Sequence, residues 1–277
     1  MGQNGLWRID GKVFILRVEK KRGYFDFVQI QINNNKTMTK TMTNLTKKVK
    51  LDIEDFFKNI GASPILPNNE LHLQMLLAQH LQNKGYKIFY EYFVPASSLN
   101  GIYLWKNKNG NLQEMYIDLV VSDNNQKEYV PIEIKYKTRK LNQTAVIFNK
   151  TQNGVDVLRD QGAQDLGRYG FWKDIYRLEL VRNNYAAVRN GIALFVTNDP
   201  AYINNTNDPH VNYYDFHMKD GRTNVSGPLD WQNNNSKIAN AHLGFTLAGT
   251  YDIQWTPIGS HSNPRSRADF SYCLVII

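Results

Sequence analysis

The chain has 277 residues, 42% hydrophobic and 21% charged, enough apolar content for one large domain, with or without an appendage, that needs no metal or disulfide to be stable. Its single cysteine, Cys273, excludes an internal disulfide and a zinc site of several thiolates, and suits a reducing cytoplasm. A formal net charge of +8 favours a polyanionic partner such as nucleic acid.

The first residues carry no basic segment followed by an apolar core, and position six is Leu where an acylation signal wants Ser or Thr. The apolar runs at 192–196 and 273–277 fall far short of the roughly 18 to 20 residues of a membrane helix. A soluble, cytoplasmic protein with no membrane partner is expected.

Leu6–Ile9, the turn Asp10-Gly11, Lys12–Val18 and Tyr24–Ile32 read as a three-stranded antiparallel unit. The segment 33–50 holds Lys36, Lys40, Lys47, Lys48 and Lys50 with no acid, and reads as a basic linker. Residues 1–50 are therefore expected to be a β appendage and linker, and 51–277 the main domain.

Asp52–Ile60 reads as a short helix stopped by Gly61, and the asparagine-capped segment 68–81 as the most secure helix. Ile88–Val94 reads as a strand. Ile102–Trp105 and Leu112–Val121 flank a turn-forming Lys-Asn-Gly-Asn, and Tyr129–Lys137 is expected to pair with the strand through Asp118. A long helical pattern runs from about Val155 to Val181, with Leu158, Gly162, Leu166 and Gly170 as its packing ridge. Ile192–Val196 is a buried strand, 198–240 is turn-rich with no clear pattern, and Phe245–Trp255 and Phe270–Ile277 are late strands. This order of elements indicates an α/β fold, a mixed sheet with helices on its faces.

Charges interrupt two of these strands. Asp118 sits within Tyr-Ile-Asp-Leu-Val-Val, and Glu133 and Lys135 alternate with Ile132 and Ile134, so they share one face. Two carboxylates on adjacent strands repel unless a cation or proton is shared. Mg²⁺ (or Mn²⁺) takes one or two carboxylates with waters and phosphate oxygens, which Asp118 and Glu133 can supply with the Ile134 carbonyl, while Lys135 holds a water or stabilises charge on an attacked phosphate. Taken alone, Glu-x-Lys in a strand is more often a solvent-facing ladder pair. The histidines show no zinc spacing, no glycine-rich phosphate loop occurs, and most of the aromatics are expected in the core.

The ordered set Glu70 in Asn-Glu-Leu-His, Asp118, and Glu133 with Lys135 in Pro-Ile-Glu-Ile-Lys resembles the PD-(D/E)xK nuclease superfamily, with its restriction-endonuclease-like fold. The resemblance spans roughly residues 65–200, and Ile117 stands where the family's proline is expected. It implies metal-dependent cleavage of nucleic acid, DNA being the expected substrate. Asp118 and Glu133 would then be metal ligands, Glu70 a direct or water-mediated ligand and Lys135 the water-positioning base. Gln161 is the implied phosphate or outer contact on the following helix, where Asp165, Arg168 and Trp172 share its face, and Asp174, Arg177 and Glu179 read as surface charges of that helix. Two other classes compete: a nucleic-acid-binding module that keeps the fold without the chemistry, and a structural protein that dimerises through its N-terminal strands. A homodimer cutting both strands is compatible with the first reading.

Overall fold

The computed structural model describes residues 42–61, 67–99, 103–106, 109–204, 208–260 and 269–277, together with the backbone of three N-terminal strands. Two compact units divide at Thr41/Met42. The first is an antiparallel sheet of β1 (Gln3–Ile9), β2 (Lys12–Lys21) and β3 (Tyr24–Ile32) in that order. The sequence-expected lysines at 36 and 40 lie outside the described residues.

The second unit opens with α1 (Asn44–Gly61), so residues 44–50, read from sequence as linker, are helical. Their lysines hid the pattern: Val49, Ile53, Phe56 and Phe57 form the single buried stripe and the cations take the other faces. α2 (Glu70–Asn83) follows, with the Asn69 side chain accepting from His72 N–H at 2.8 Å as its cap. Then come β4 (Lys87–Val94), β5 (Met115–Ser122), β6 (Tyr129–Lys137), β7 (Leu141–Ile147) and β8 (Lys150–Leu158). The chain continues through α3 (Gln164–Asn184), β9 (Ile192–Thr197), α4 (Pro200–Ile203), β10 (Arg222–Leu229), α5 (Lys237–Ala241), β11 (Phe245–Ile253), β12 (Trp255–Ser260) and β13 (Asp269–Ile276).

The central sheet has the order β12-β13-β9-β6-β5-β4, with β6 and β9 parallel and the other pairs antiparallel. The protein is thus α/β, a mixed sheet flanked by helices. On one face, Leu73, Leu77, Ala78 and Leu81 of α2 and the α1 stripe pack on Leu119, Val121, Ile132 and Ile134. On the other, α3 packs through Phe171, Trp172, Ile175 and Leu178 among Phe195, Phe216, Trp231 and Phe245, where the β10–β11 sheet closes the layer. Most described aromatics serve this core, as their clustering around Tyr169 illustrates. No described helix is long and apolar enough to cross a membrane.

Two corrections concern α3. Residues 155–158 are the end of strand β8 and 159–163 a connector, so the helix begins at Gln164 and the ridge keeps only Leu166 and Gly170. Glu179 is 2% exposed, not a surface charge. Its carboxylate accepts from the backbone of Ala248 at 2.9 Å and Gly249 at 2.6 Å and from the Tyr251 hydroxyl at 2.6 Å, bonding α3 to β11. A Cβ at Gly249 would lie 2.5 Å from that hydroxyl, which is why glycine occupies the position. Glu179→Ala removes the acceptor shared by these three donors, of which the Tyr251 hydroxyl is buried, so urea unfolding should show a loss of about 2 kcal/mol or more. A loss below about 1 kcal/mol would contradict this role.

Candidate active site at the gap between two strands

The β5–β6 ladder pairs Leu119 with Ile132 and continues to Ser122 with Tyr129, and it stops short of Asp118. On its other edge β5 pairs Ile117 with Tyr92 and Leu119 with Tyr90, leaving out Asp118 and Glu91. Glu91 has a left-handed backbone, φ 44°, an unusual state for a residue with a Cβ. Side-chain alternation slips at the same point: Leu119 and Val121 face α1 and α2, whereas Met115 and Ile117 belong to the α3 side. A charged residue therefore sits where β5 leaves β6.

Carboxylates replace the missing strand. Asp118 Oδ2 accepts from Ile134 N–H at 2.6 Å, and Glu70 Oε2, from the first turn of α2, accepts from Tyr136 N–H at 2.8 Å. These are alternate residues on one edge of β6, the donors a continued ladder would have used. The buried Gln74 amide holds the Asp118 carbonyl at 2.5 Å and reaches Glu91 at 3.3 Å.

Glu133 and Lys135 lie on the β6 face toward α3. Glu133 is 2% exposed and its Oε1 lies 3.1 Å from Arg177 Nη1, outside aligned hydrogen-bond geometry. Lys135 Nζ is 2.7 Å from Asp174 Oδ2 and 3.4 Å from the Ile134 carbonyl, and Arg177 also contacts Asp174 at 3.2 Å and donates to the Tyr116 carbonyl at 2.6 Å. The Lys135 stem runs beside Gly170 of α3, where an added Cβ would stand 3.5 Å from Lys135 Cε, an ordinary contact. Asp174 and Arg177, read from sequence as surface charges, are thus partners of the central motif, Asp174 buried and Arg177 half-buried. The signal was present: Gly170, Asp174 and Arg177 fall at i, i+4 and i+7 on one helical face, flanked by Phe171, Trp172, Ile175 and Leu178. Gln74 and Glu91 gave no such signal.

Gln161 precedes α3 and does not share its face with Asp165, Arg168 and Trp172. Its N–H donates to the Thr138 carbonyl at 2.9 Å, tying the connector to the end of β6. The glutamine at the helix start is Gln164, whose amide donates to Asp199 at 2.5 Å.

The electrostatics reflect crowded acids. Burial pushes the Asp118 carboxyl up to about 6, against the pull of Lys135 and the Ile134 N–H. Burial likewise lifts Glu133 well above the ordinary carboxylate range, with Arg177 opposing and Asp174 and Asp118 adding to the rise. Burial works against the ammonium of Lys135, but Asp174, Glu133, Glu70 and Asp118 outweigh it and keep the amine protonated. The side chains bonded at the gap are four acids (Glu70, Asp118, Glu133, Asp174) and two cations (Lys135, Arg177), an excess of 4 − 2 = 2 negative charges with every group ionised, which the raised carboxyls of Asp118 and Glu133 relieve by holding protons. Two close carboxylates with a nearby carbonyl are the donor chemistry of Mg²⁺, which completes its shell with water and phosphate. Among the described residues, no three Asp, Glu, His or Cys side chains are gathered closely enough to hold a metal among themselves. Glu70 and Asp118 are each committed to a β6 amide, Glu133 to Arg177, and the Ile134 carbonyl to Lys135.

No protein-family model matches the chain, and no curated protein or solved structure is significantly similar to it.

The raised carboxyl of Asp118 has a measurable sign. The folded protein holds a proton there between about pH 4, where a free aspartate titrates, and about pH 6, so this group's contribution falls as pH rises across that window. Asp118→Asn keeps an acceptor for Ile134 N–H without the charge. In metal-free buffer its melting temperature should match wild type near pH 4 and exceed it above pH 6, by at most about 3 kcal/mol of stability. A variant less stable than wild type at pH 8 would contradict the assignment.

Proposed function

We propose that the chain is a metal-dependent DNA endonuclease with a restriction-endonuclease-like fold, hydrolysing phosphodiester bonds at the gap between β5 and β6. The observation that carries this reading is the departure of β5 from β6 at Asp118, which leaves the Asp118 carboxylate on Ile134 N–H, next to Glu133 in the chain and near enough to add to the rise of the Glu133 carboxyl, with Lys135 beside them. Asp118, Glu133 and the Ile134 carbonyl are the proposed ligands of Mg²⁺ or Mn²⁺, with Glu70 as a neighbouring or water-bridged donor. Bound there, the metal supplies positive charge for phosphate oxygens and acidifies a water.

The chain's own residues do the positioning. Lys135, protonated and held by Asp174, offers N–H donors to the attacking water or to a phosphate oxygen. Glu133 would hold the cation in place of its present contact with Arg177, and Arg177 would keep Asp174 as its partner. Gln161, at the exit of β6, is a candidate phosphate contact. A homodimer that cuts both strands is the corresponding assembly.

A second reading, a nucleic-acid-binding module without cleavage, is favoured by one observation: Arg177 already pairs with Glu133 and Asp174 with Lys135, so protein groups occupy the motif. The two readings separate on plasmid DNA. With Mg²⁺ or Mn²⁺ the wild type should nick or linearise it, EDTA should abolish the activity, and Glu133→Ala and Lys135→Ala should each lose about 10²-fold or more. Equal nicking by wild type and both variants contradicts the site. Salt-dependent binding with no cleavage in any divalent metal establishes the second reading instead.

A further inference from the structure

The hairpin of β7 and β8 forms a sheet of its own, fastened at its base to the end of the strand that carries Glu133 and Lys135. Thr138 donates to the Arg159 carbonyl at 2.8 Å, and Lys140 N–H donates to Asp160 at 3.0 Å. Near that base one face stays half-buried at Gln143, Ala145, Val155 and Val157, and beyond it all residues from Val146 to Gly154 are exposed. Seven and nine residues at about 3.3 Å each make an arm of roughly 20 Å or more.

Its tip is Phe148-Asn149, both left-handed, with φ 46° and 63°. That is the turn a tight hairpin prefers, yet phenylalanine is a poor occupant of it. Phe148 is 98% exposed, and Val146 and Ile147 beside it are 69% and 37% exposed. A strained, solvated aromatic gives nothing back to this fold, so its return comes from a partner. Residues 137–160 carry Lys137, Arg139, Lys140, Lys150 and Arg159 against Asp156 and Asp160, a net charge of 5 − 2 = +3. Lys140 is paired to Asp156 at 2.7 Å and Arg139 to Asp199 at 3.2 Å, both at the base. A second copy of the chain would bring the same positive charge to the contact, whereas a phosphate backbone complements it.

We propose that the β7–β8 hairpin is a DNA-gripping arm that enters a groove of the duplex and wedges Phe148 between base steps, an inference that rests on the nuclease reading for its substrate. A duplex groove admits a two-stranded ribbon, and apolar wedges partly unstack the step they enter. The arm springs from the end of β6, so the strand that presents the cleavage residues also sets where the DNA is held.

The test uses the full chain, in EDTA and again in Ca²⁺, with a duplex carrying 2-aminopurine at successive positions. Wild type should raise the fluorescence at one step. Phe148→Gly, which also relaxes the turn, should melt no lower than wild type, bind about 10-fold more weakly and abolish the rise. Lys150→Ala should reduce the slope of log affinity against log salt by about one. Unchanged affinity and fluorescence for Phe148→Gly overturns the arm while leaving the nuclease reading intact. So does a loss confined to binding of anionic lipid vesicles, which assigns the tip to a membrane surface. Failure of wild type to bind DNA even at low salt overturns both.

Discussion

The hydrogen bond from Ile134 N–H to the Asp118 carboxylate fixes the geometry on which the candidate site depends. A strand edge inside a sheet must satisfy its amides, and β5 abandons β6 at Asp118. The carboxylate takes the first donor left over and Glu70 takes the next, so the sheet stays satisfied while the strands part. Without such acceptors the gap would strand two buried donors, at about 1–3 kcal/mol each. Glu91, left-handed opposite Asp118, and Gln74, bonded to the Asp118 carbonyl, are the backbone and side-chain adjustments that accompany the opening.

The same opening concentrates negative charge away from water. Burial alone would neutralise Glu133, and Arg177 and Lys135 counter it from α3 and β6. α3 is consequently more than a packing helix: its apolar residues seal one face of the sheet while Asp174 and Arg177 meet the charges that β6 turns toward it. Removing one partner of a buried charge pair leaves the other uncompensated, so each of these residues supports the fold as well as the site.

Much of this was legible in the sequence where local pattern and tertiary role coincide. Tyr129–Lys137 alternates cleanly because one face meets α2 and the other α3, and Ile192–Val196 is apolar throughout because both faces are covered. Glu133 and Lys135 share a face by strand alternation, whereas Asp118 lies just beyond the last β5–β6 pair and reaches them through Ile134 N–H. Legibility failed where a residue's role depends on a distant partner. Asp174, Arg177 and Glu179 look like helix-surface charges until their neighbours across the fold are known. The β7–β8 arm escaped because its outer half is exposed on both faces, so no sustained alternation of apolar residues marks it, and Val155 to Leu158 merges with the helical pattern that follows. The start of α1 was obscured by lysines on its solvent side.

The central claim is that the gap between β5 and β6 binds a divalent cation through Asp118 and Glu133. Anomalous diffraction from crystals of the whole chain soaked in Mn²⁺ addresses it most directly. The account predicts a peak bridging the two carboxylates, with Glu133 drawn off Arg177. A map with no peak there, and with Glu133 still against Arg177, would contradict it.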